Sequence, residues 1–116
     1  MNTNHFFRTT MATSYTARKF FKKVVHDAYL QLQQWDSEVV LEAEAWRLYT
    51  VKIQYRGQSY QVAFTKSEID ILQQESPYAL DQAIWLHLIQ QGLVIQPFEG
   101  NYLSKVLTSS IQRKIS

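Results

Sequence analysis

The feature that most constrains the fold is an alternation of apolar and polar residues on either side of a short turn, between Trp46 and Phe64. This period of two is typical of strands that bury one face. A two-residue turn at Gly57-Gln58, where glycine supplies a positive φ, would join two such strands into a hairpin whose large side chains share one face. The predicted cross-strand pairs are Tyr55–Tyr60, Ile53–Val62 and Val51–Phe64.

A long amphipathic helix is predicted upstream of the hairpin, from Ser14 as its N-cap to about Trp35. At 100° per residue its apolar side chains fall in a single arc: Ala17, Phe20, Phe21, Val24, Val25, Ala28, Leu32 and Trp35. This arc is wide enough to lie across the apolar face of the hairpin.

Two segments flank the hairpin directly. Residues 38–45 alternate and favour the first strand of a three-stranded meander, although their Ala and Glu content leaves a helix open. On the other side, Thr65 and Glu68 have the spacing of a capping box, which predicts a short helix ending near Glu75.

Further elements are predicted towards the C-terminus. Ser76 followed by Pro77 is typical of a helix start, and Gly92 is typical of a helix end. Residues 93–95 are apolar and predict an additional strand on the edge of the hairpin. Asn101 can cap a last helix.

This order of elements predicts the α+β class: a small antiparallel sheet packed against an N-terminal amphipathic helix and two to three C-terminal helices. A chain of 116 residues fits a single domain, predicted over residues 14–116. Residues 1–13 show no periodicity and are predicted to form a flexible or docked arm. Because they are free of acidic residues, a processed transit segment also stays open.

Composition excludes several classes of site. The chain has no cysteine, so thiolate chemistry, disulfides and Cys-ligated metals are impossible. Its three glycines are far apart and form no phosphate-binding loop, and its three histidines lack the spacing of a metal site. The sequence therefore predicts no cofactor, no metal ligand and no catalytic residue. No apolar run is long enough to span a bilayer, and a soluble cytoplasmic protein is expected.

One charged feature points to function. The predicted N-terminal helix carries a basic stripe opposite its apolar arc, formed by Arg18, Lys19, Lys22, Lys23 and His26. Such a stripe can contact an acidic protein surface or a phosphate backbone. The sequence predicts a non-enzymatic protein-interaction module whose partner is another protein or a second copy of the chain. Nucleic-acid binding through the basic stripe is the alternative.

Overall fold

The computed structural model describes residues 1–115, with the side chains of residues 1–108. It confirms the α+β class, with a three-stranded antiparallel sheet and five helices along this part of the chain. In order the elements are α1 (His5–Ser14), α2 (Ala17–Trp35), β1 (Val40–Ala45), β2 (Leu48–Tyr55), β3 (Gln58–Thr65), α3 (Lys66–Glu75), α4 (Ala79–Gln90) and α5 (Tyr102–Ile115).

The hairpin of β2 and β3 forms as predicted, but its turn is one residue earlier. Arg56 and Gly57 both have positive φ, 49° and 78°, as a type I′ turn requires. Tyr55 therefore lies opposite Gln58 instead of Tyr60. The predicted register was wrong because it gave glycine the first turn position, whereas here glycine occupies the second. Since the pairing shifts by two residues, the same apolar side chains still share one buried face.

The ambiguous segment 38–45 contains strand β1, which pairs with β2 over its whole length. Sheet order is β1-β2-β3, so β1 and β3 are both edge strands. The additional strand predicted at residues 93–95 is wrong, because this segment has no strand conformation. The side chain of Gln91 instead occupies the edge of β3, where it bonds both backbone groups of Gln61.

Helix α2 covers the inner face of the sheet with its apolar side, as predicted. Phe20, Phe21 and Val24 are fully buried, and the Phe21 ring meets the Tyr49 ring edge-on at 5.1 Å. Helix α4, which is apolar on nearly all sides, packs between α2, α3, α5 and β3. The outer face of the sheet carries exposed polar side chains such as Lys52 and Gln61, so the helices form a single layer on one side.

Side-chain oxygens cap the starts of α2 and α3. Thr65 and Glu68 form the predicted capping box of α3. Thr16, and not Ser14, caps α2 by accepting a hydrogen bond from the amide of Lys19. Ser14 belongs to α1, where its hydroxyl donates to a carbonyl of the preceding turn. The predicted start at Ser76 was also early, since α4 begins at Ala79 without a side-chain cap.

The N-terminal residues pack against the region before α5. The amide of Thr3 donates to Asn101 Oδ1 at 2.7 Å, and the Asn101 side chain donates back to the Thr3 carbonyl at 3.1 Å. After the N-cap Asn4, α1 runs to Ser14. Its threonine hydroxyls donate to carbonyls of the preceding turn.

Candidate functional site

The largest group of interacting charged side chains is buried between helices. Arg8 of α1 is fully buried and donates to both oxygens of Asp81 in α4 and to Asp27 Oδ2 in α2 at 2.7 Å. Tyr102 of α5 donates to Asp81 Oδ2 at 2.6 Å, and Trp85 Nε1 donates to the Tyr102 oxygen at 3.3 Å. This buried network therefore joins four helices: Arg8 links α1 to α2 and α4, and Asp81 links α4 to α5.

Electrostatics show what the buried network can do. Burial alone would lower the pKa of Arg8, but its bonds to Asp81 and Asp27 outweigh burial and raise that pKa above the ordinary value. Burial also raises the pKa of Asp81 and, with the neighbouring Asp81, that of Tyr102. The side chains of Arg8, Asp27 and Asp81 are at most 7% exposed, so a substrate has no access to them. The network is a structural clamp.

Sequence reasoning missed this network, since Arg8 lies in a segment with no apolar period. The signal that could have found it was a carboxylate next to apolar residues: Asp27 lies at the border of the apolar arc of α2, and Asp81 lies in the helix that is apolar nearly all round. Buried carboxylates need a cationic partner.

The structure places most of the predicted basic stripe on the surface. Arg18, Lys19, Lys22 and His26 are exposed along one side of α2. Lys19 lies over the ring of Tyr15, 4.3 Å from its centre. Lys23 is half-buried, with its amine 3.0 Å from Asp27 Oδ1, so its charge is already paired. The free positive charge is therefore concentrated on Arg18, Lys19 and Lys22.

The register of the sheet determines which backbone groups face outward. In a two-residue hairpin the residues that flank the turn exchange hydrogen bonds, so alternate residues of β2 from Tyr55 bond to β3. The intervening residues of β2 bond to β1, at Val40, Glu42 and Glu44. The N–H and C=O groups of Leu41 and Ala43 therefore point away from the sheet.

This exposed edge of β1 borders a groove of about 450 Å³ between β1 and α2. Its lining combines apolar side chains with two members of the basic stripe: Lys22, Val25, His26, Tyr29, Val39, Val40, Leu41 and Ala43. Ala43 faces the helical side of the sheet, opposite the buried Val51, and is nevertheless exposed. Helix α2 thus leaves a slot beside the edge strand, which we call the β1 groove.

The sequence indicated part of the β1 groove. It predicted Lys22 and His26 as contact residues, but it gave no sign that they would lie beside an open strand edge. To predict the open edge, both the strand at residues 38–45 and the order of the strands in the sheet must be known. Alternation favoured the strand but did not indicate the order.

A second cleft, of about 620 Å³, lies between the end of α1 and the end of α3. Gln73 joins the two sides of this cleft by donating to the carbonyls of Ala12 and Tyr15. Asp70 pairs with Lys66 within α3 at 3.3 Å. These contacts give the second cleft a structural role.

Across the described residues, no group of three or more His, Asp or Glu side chains is arranged to hold a metal ion. Nor does any helix within residues 1–115 combine the length and apolar character needed to cross a membrane. No protein family, curated protein or solved structure matches this chain. Function must therefore be inferred from the chain's own geometry, in which the β1 groove lies beside an open strand edge.

Proposed function

We propose that this protein is a non-enzymatic interaction module that binds an extended segment of another protein in the β1 groove. The segment would add to the sheet as a fourth strand beside β1. One observation carries the proposal: the backbone groups of Leu41 and Ala43 point away from the sheet, alongside a groove that already has a helical wall. The absence of cysteine fits a cytoplasmic location, which we propose for this activity.

Strand addition matches both chemical features of the site. Main-chain hydrogen bonds to the β1 edge would supply affinity without requiring a particular sequence. Val25 and Leu41 in the groove would accept an apolar side chain from every second residue of the segment.

A proline substitution tests the proposal, because proline lacks the N–H that a new strand would bond. Ala43→Pro removes an outward N–H from the groove edge. Ala63→Pro is a matched control, because Ala63 is also exposed on an edge strand with its N–H directed away from β2. Linear peptides are selected from a random library on the unmodified protein and titrated into all three proteins, with amide shifts followed by NMR.

The selected peptides should shift the amides of Leu41 and Ala43, lose at least tenfold in affinity for Ala43→Pro, and bind Ala63→Pro unchanged. Failure to select any peptide, or equal affinity for the two proline variants, would contradict strand addition at β1. Folding of each variant is checked by its thermal unfolding curve.

Nucleic-acid binding is a second candidate, favoured by the three free cations on α2. Arg18, Lys19 and Lys22 could follow a phosphate backbone, and the ring of Tyr15 lies beside them. Affinity for a mixed single-stranded oligonucleotide should then fall steeply with salt and fall further in Lys19→Ala/Lys22→Ala. A flat salt dependence would remove this candidate. This candidate is the weaker of the two, because α2 offers only three free cations and the net charge of the chain is only +2.

A further inference from the structure

Resting on the proposed function, we infer that the β1 groove selects a segment with alternating charge, whose outward side chains are basic. The outer side of β1 presents Glu42 and Glu44, both exposed. Neither carboxylate lies within 4.0 Å of a cationic nitrogen among the described side chains, although Lys52 is opposite Glu42 in β2. A strand added beside β1 would place its own outward side chains directly next to these two negative charges.

The inner side of the groove has the opposite character. There Lys22 and His26 flank apolar side chains that include Val25 and Leu41. Inward side chains of the segment are therefore apolar, with an acidic residue favoured where one reaches Lys22. The preferred partner is an extended segment with Lys or Arg on one side, and apolar or acidic residues on the other.

The same two glutamates argue against a second copy of this chain as the occupant. The two antiparallel registers that pair five residues of each β1 strand through their open edges have their symmetry centre at residue 42 or 43. They place Glu42 opposite Glu42, or Glu42 opposite Glu44 of the second copy. Like charges directly opposite each other are destabilising, so each register is disfavoured.

Two acetylated and amidated six-residue peptides test the inference. Both carry Val, Glu and Val at the inward positions. One carries Lys at all three outward positions, and the other carries Glu. Affinities are measured by calorimetry and NMR titration on the unmodified protein and on Glu42→Lys/Glu44→Lys. The unmodified protein should prefer the Lys peptide by about tenfold or more, since two cross-strand pairs change from repulsive to attractive.

The double variant should reverse this preference. A charge-matched control, Asp70→Lys/Glu99→Lys, adds the same positive charge away from β1 and should keep the preference for the Lys peptide. Overall charge alone would favour the Glu peptide on the unmodified protein, so it cannot produce the expected result.

The outcomes separate the two proposals. If both peptides shift the Leu41 and Ala43 amides with equal affinity, the charge pattern is wrong while strand addition stands. If neither peptide shifts those amides and the library also gives no binder, strand addition itself is wrong. A preference that survives in Glu42→Lys/Glu44→Lys would show that the outward side chains meet a different surface, which also overturns the inference.

Discussion

The two edges of this sheet differ in whether their outward backbone groups have hydrogen-bond partners. At the β3 edge, the side-chain amide of Gln91 accepts a hydrogen bond from the backbone N–H of Gln61 at 3.2 Å. It also donates to the backbone carbonyl of Gln61 at 2.8 Å, as a neighbouring strand would. Further along that edge, the N–H of Thr65 donates to Glu68 at 2.9 Å. At the β1 edge, the corresponding groups of Leu41 and Ala43 have no such side chain beside them within the described residues, and a groove runs alongside.

This contrast shows how a small sheet can prevent strand pairing at one edge and allow it at the other. An open edge invites pairing with any strand, and proteins commonly blunt it with charge or cover. Here the β3 edge is covered by side chains, whereas among the described residues the β1 edge is protected by the negative charges of Glu42 and Glu44. Charge excludes some strands and admits others, so the β1 edge can serve recognition where the β3 edge cannot.

The largest loss of stability should come from a substitution in the helical layer. This substitution also tests whether the difference between the two edges depends on that layer. Arg8→Met removes the cation that pairs with Asp81 and that shares Asp27 with Lys23, so Asp81 is left buried without a cationic partner. We expect the free energy of unfolding to fall by about 3–5 kcal/mol, measured by chemical denaturation. In the protein that remains folded, the Ala43 amide should still exchange faster than that of Gln61.

Arg18→Met is the matched control for this experiment, because Arg18 is exposed and should change the free energy of unfolding by less than about 0.5 kcal/mol. If Arg8→Met were no more destabilising than Arg18→Met, the buried network would not be the clamp described above.

A second prediction concerns the negative charges that protect the β1 edge. Glu42→Gln/Glu44→Gln removes the like-charge repulsion between two β1 strands, so self-association should strengthen by about tenfold. Sedimentation velocity over a concentration series measures it. Glu38→Gln/Glu99→Gln makes the same change of net charge outside β1 and should leave association unchanged. Equal behaviour of the two variants would mean that the glutamates do not guard the edge.

A third prediction makes the two edges alike. Gln91→Ala deletes both hydrogen bonds to Gln61, so the Gln61 amide should exchange with solvent as fast as that of Ala43. The expected loss of stability is about 1 kcal/mol, because hydrogen bonds contribute modestly in net terms. Gln90→Ala truncates the adjacent exposed glutamine as a control. Unchanged exchange at Gln61 in Gln91→Ala would show that its edge is protected by something else.

The smallest effect concerns pH at the far end of the β3 edge. The hydrogen bond from the Thr65 N–H, with one from its hydroxyl, lowers the pKa of Glu68 below its ordinary value of 4.5. Because this pKa is lower in the folded state, the stabilisation is fully present above the unfolded pKa. It is lost as pH falls below about 4.5.

Glu68→Gln should therefore show less loss of stability than the unmodified protein between pH 7 and pH 3, measured by denaturation at each pH. Glu44→Gln replaces an exposed strand carboxylate and should retain the unmodified profile in this range. Identical profiles for Glu68→Gln and the unmodified protein would indicate that the charge of Glu68 does not act at this edge.

Patterns that depend on neighbouring residues were predictable. The alternation around the hairpin identified the buried face of the sheet, and the apolar arc of α2 identified its cover. The capping box at Thr65 and Glu68 fixed the start of α3, because a cap involves residues only three apart. The turn was misplaced by one residue, since Arg56 adopts a left-handed conformation that its residue type does not announce.

Features that join distant segments were not predictable. Arg8 meets Asp81 across 73 positions of the chain, and Gln91 meets Gln61 across 30. The candidate site was likewise predictable only in part. The sequence indicated the cations Lys22 and His26 but not the open strand beside them.

By itself, the sequence determined the buried face of the hairpin, the apolar face of α2 and the start of α3, because these depend on periods and caps readable within a few residues. Only the tertiary structure decided that β1 and β3 are both edges, that Gln91 closes one of them, and that α2 stands back from the other. The physical reason is that an edge is defined by what does not pack against it, and that depends on the whole chain.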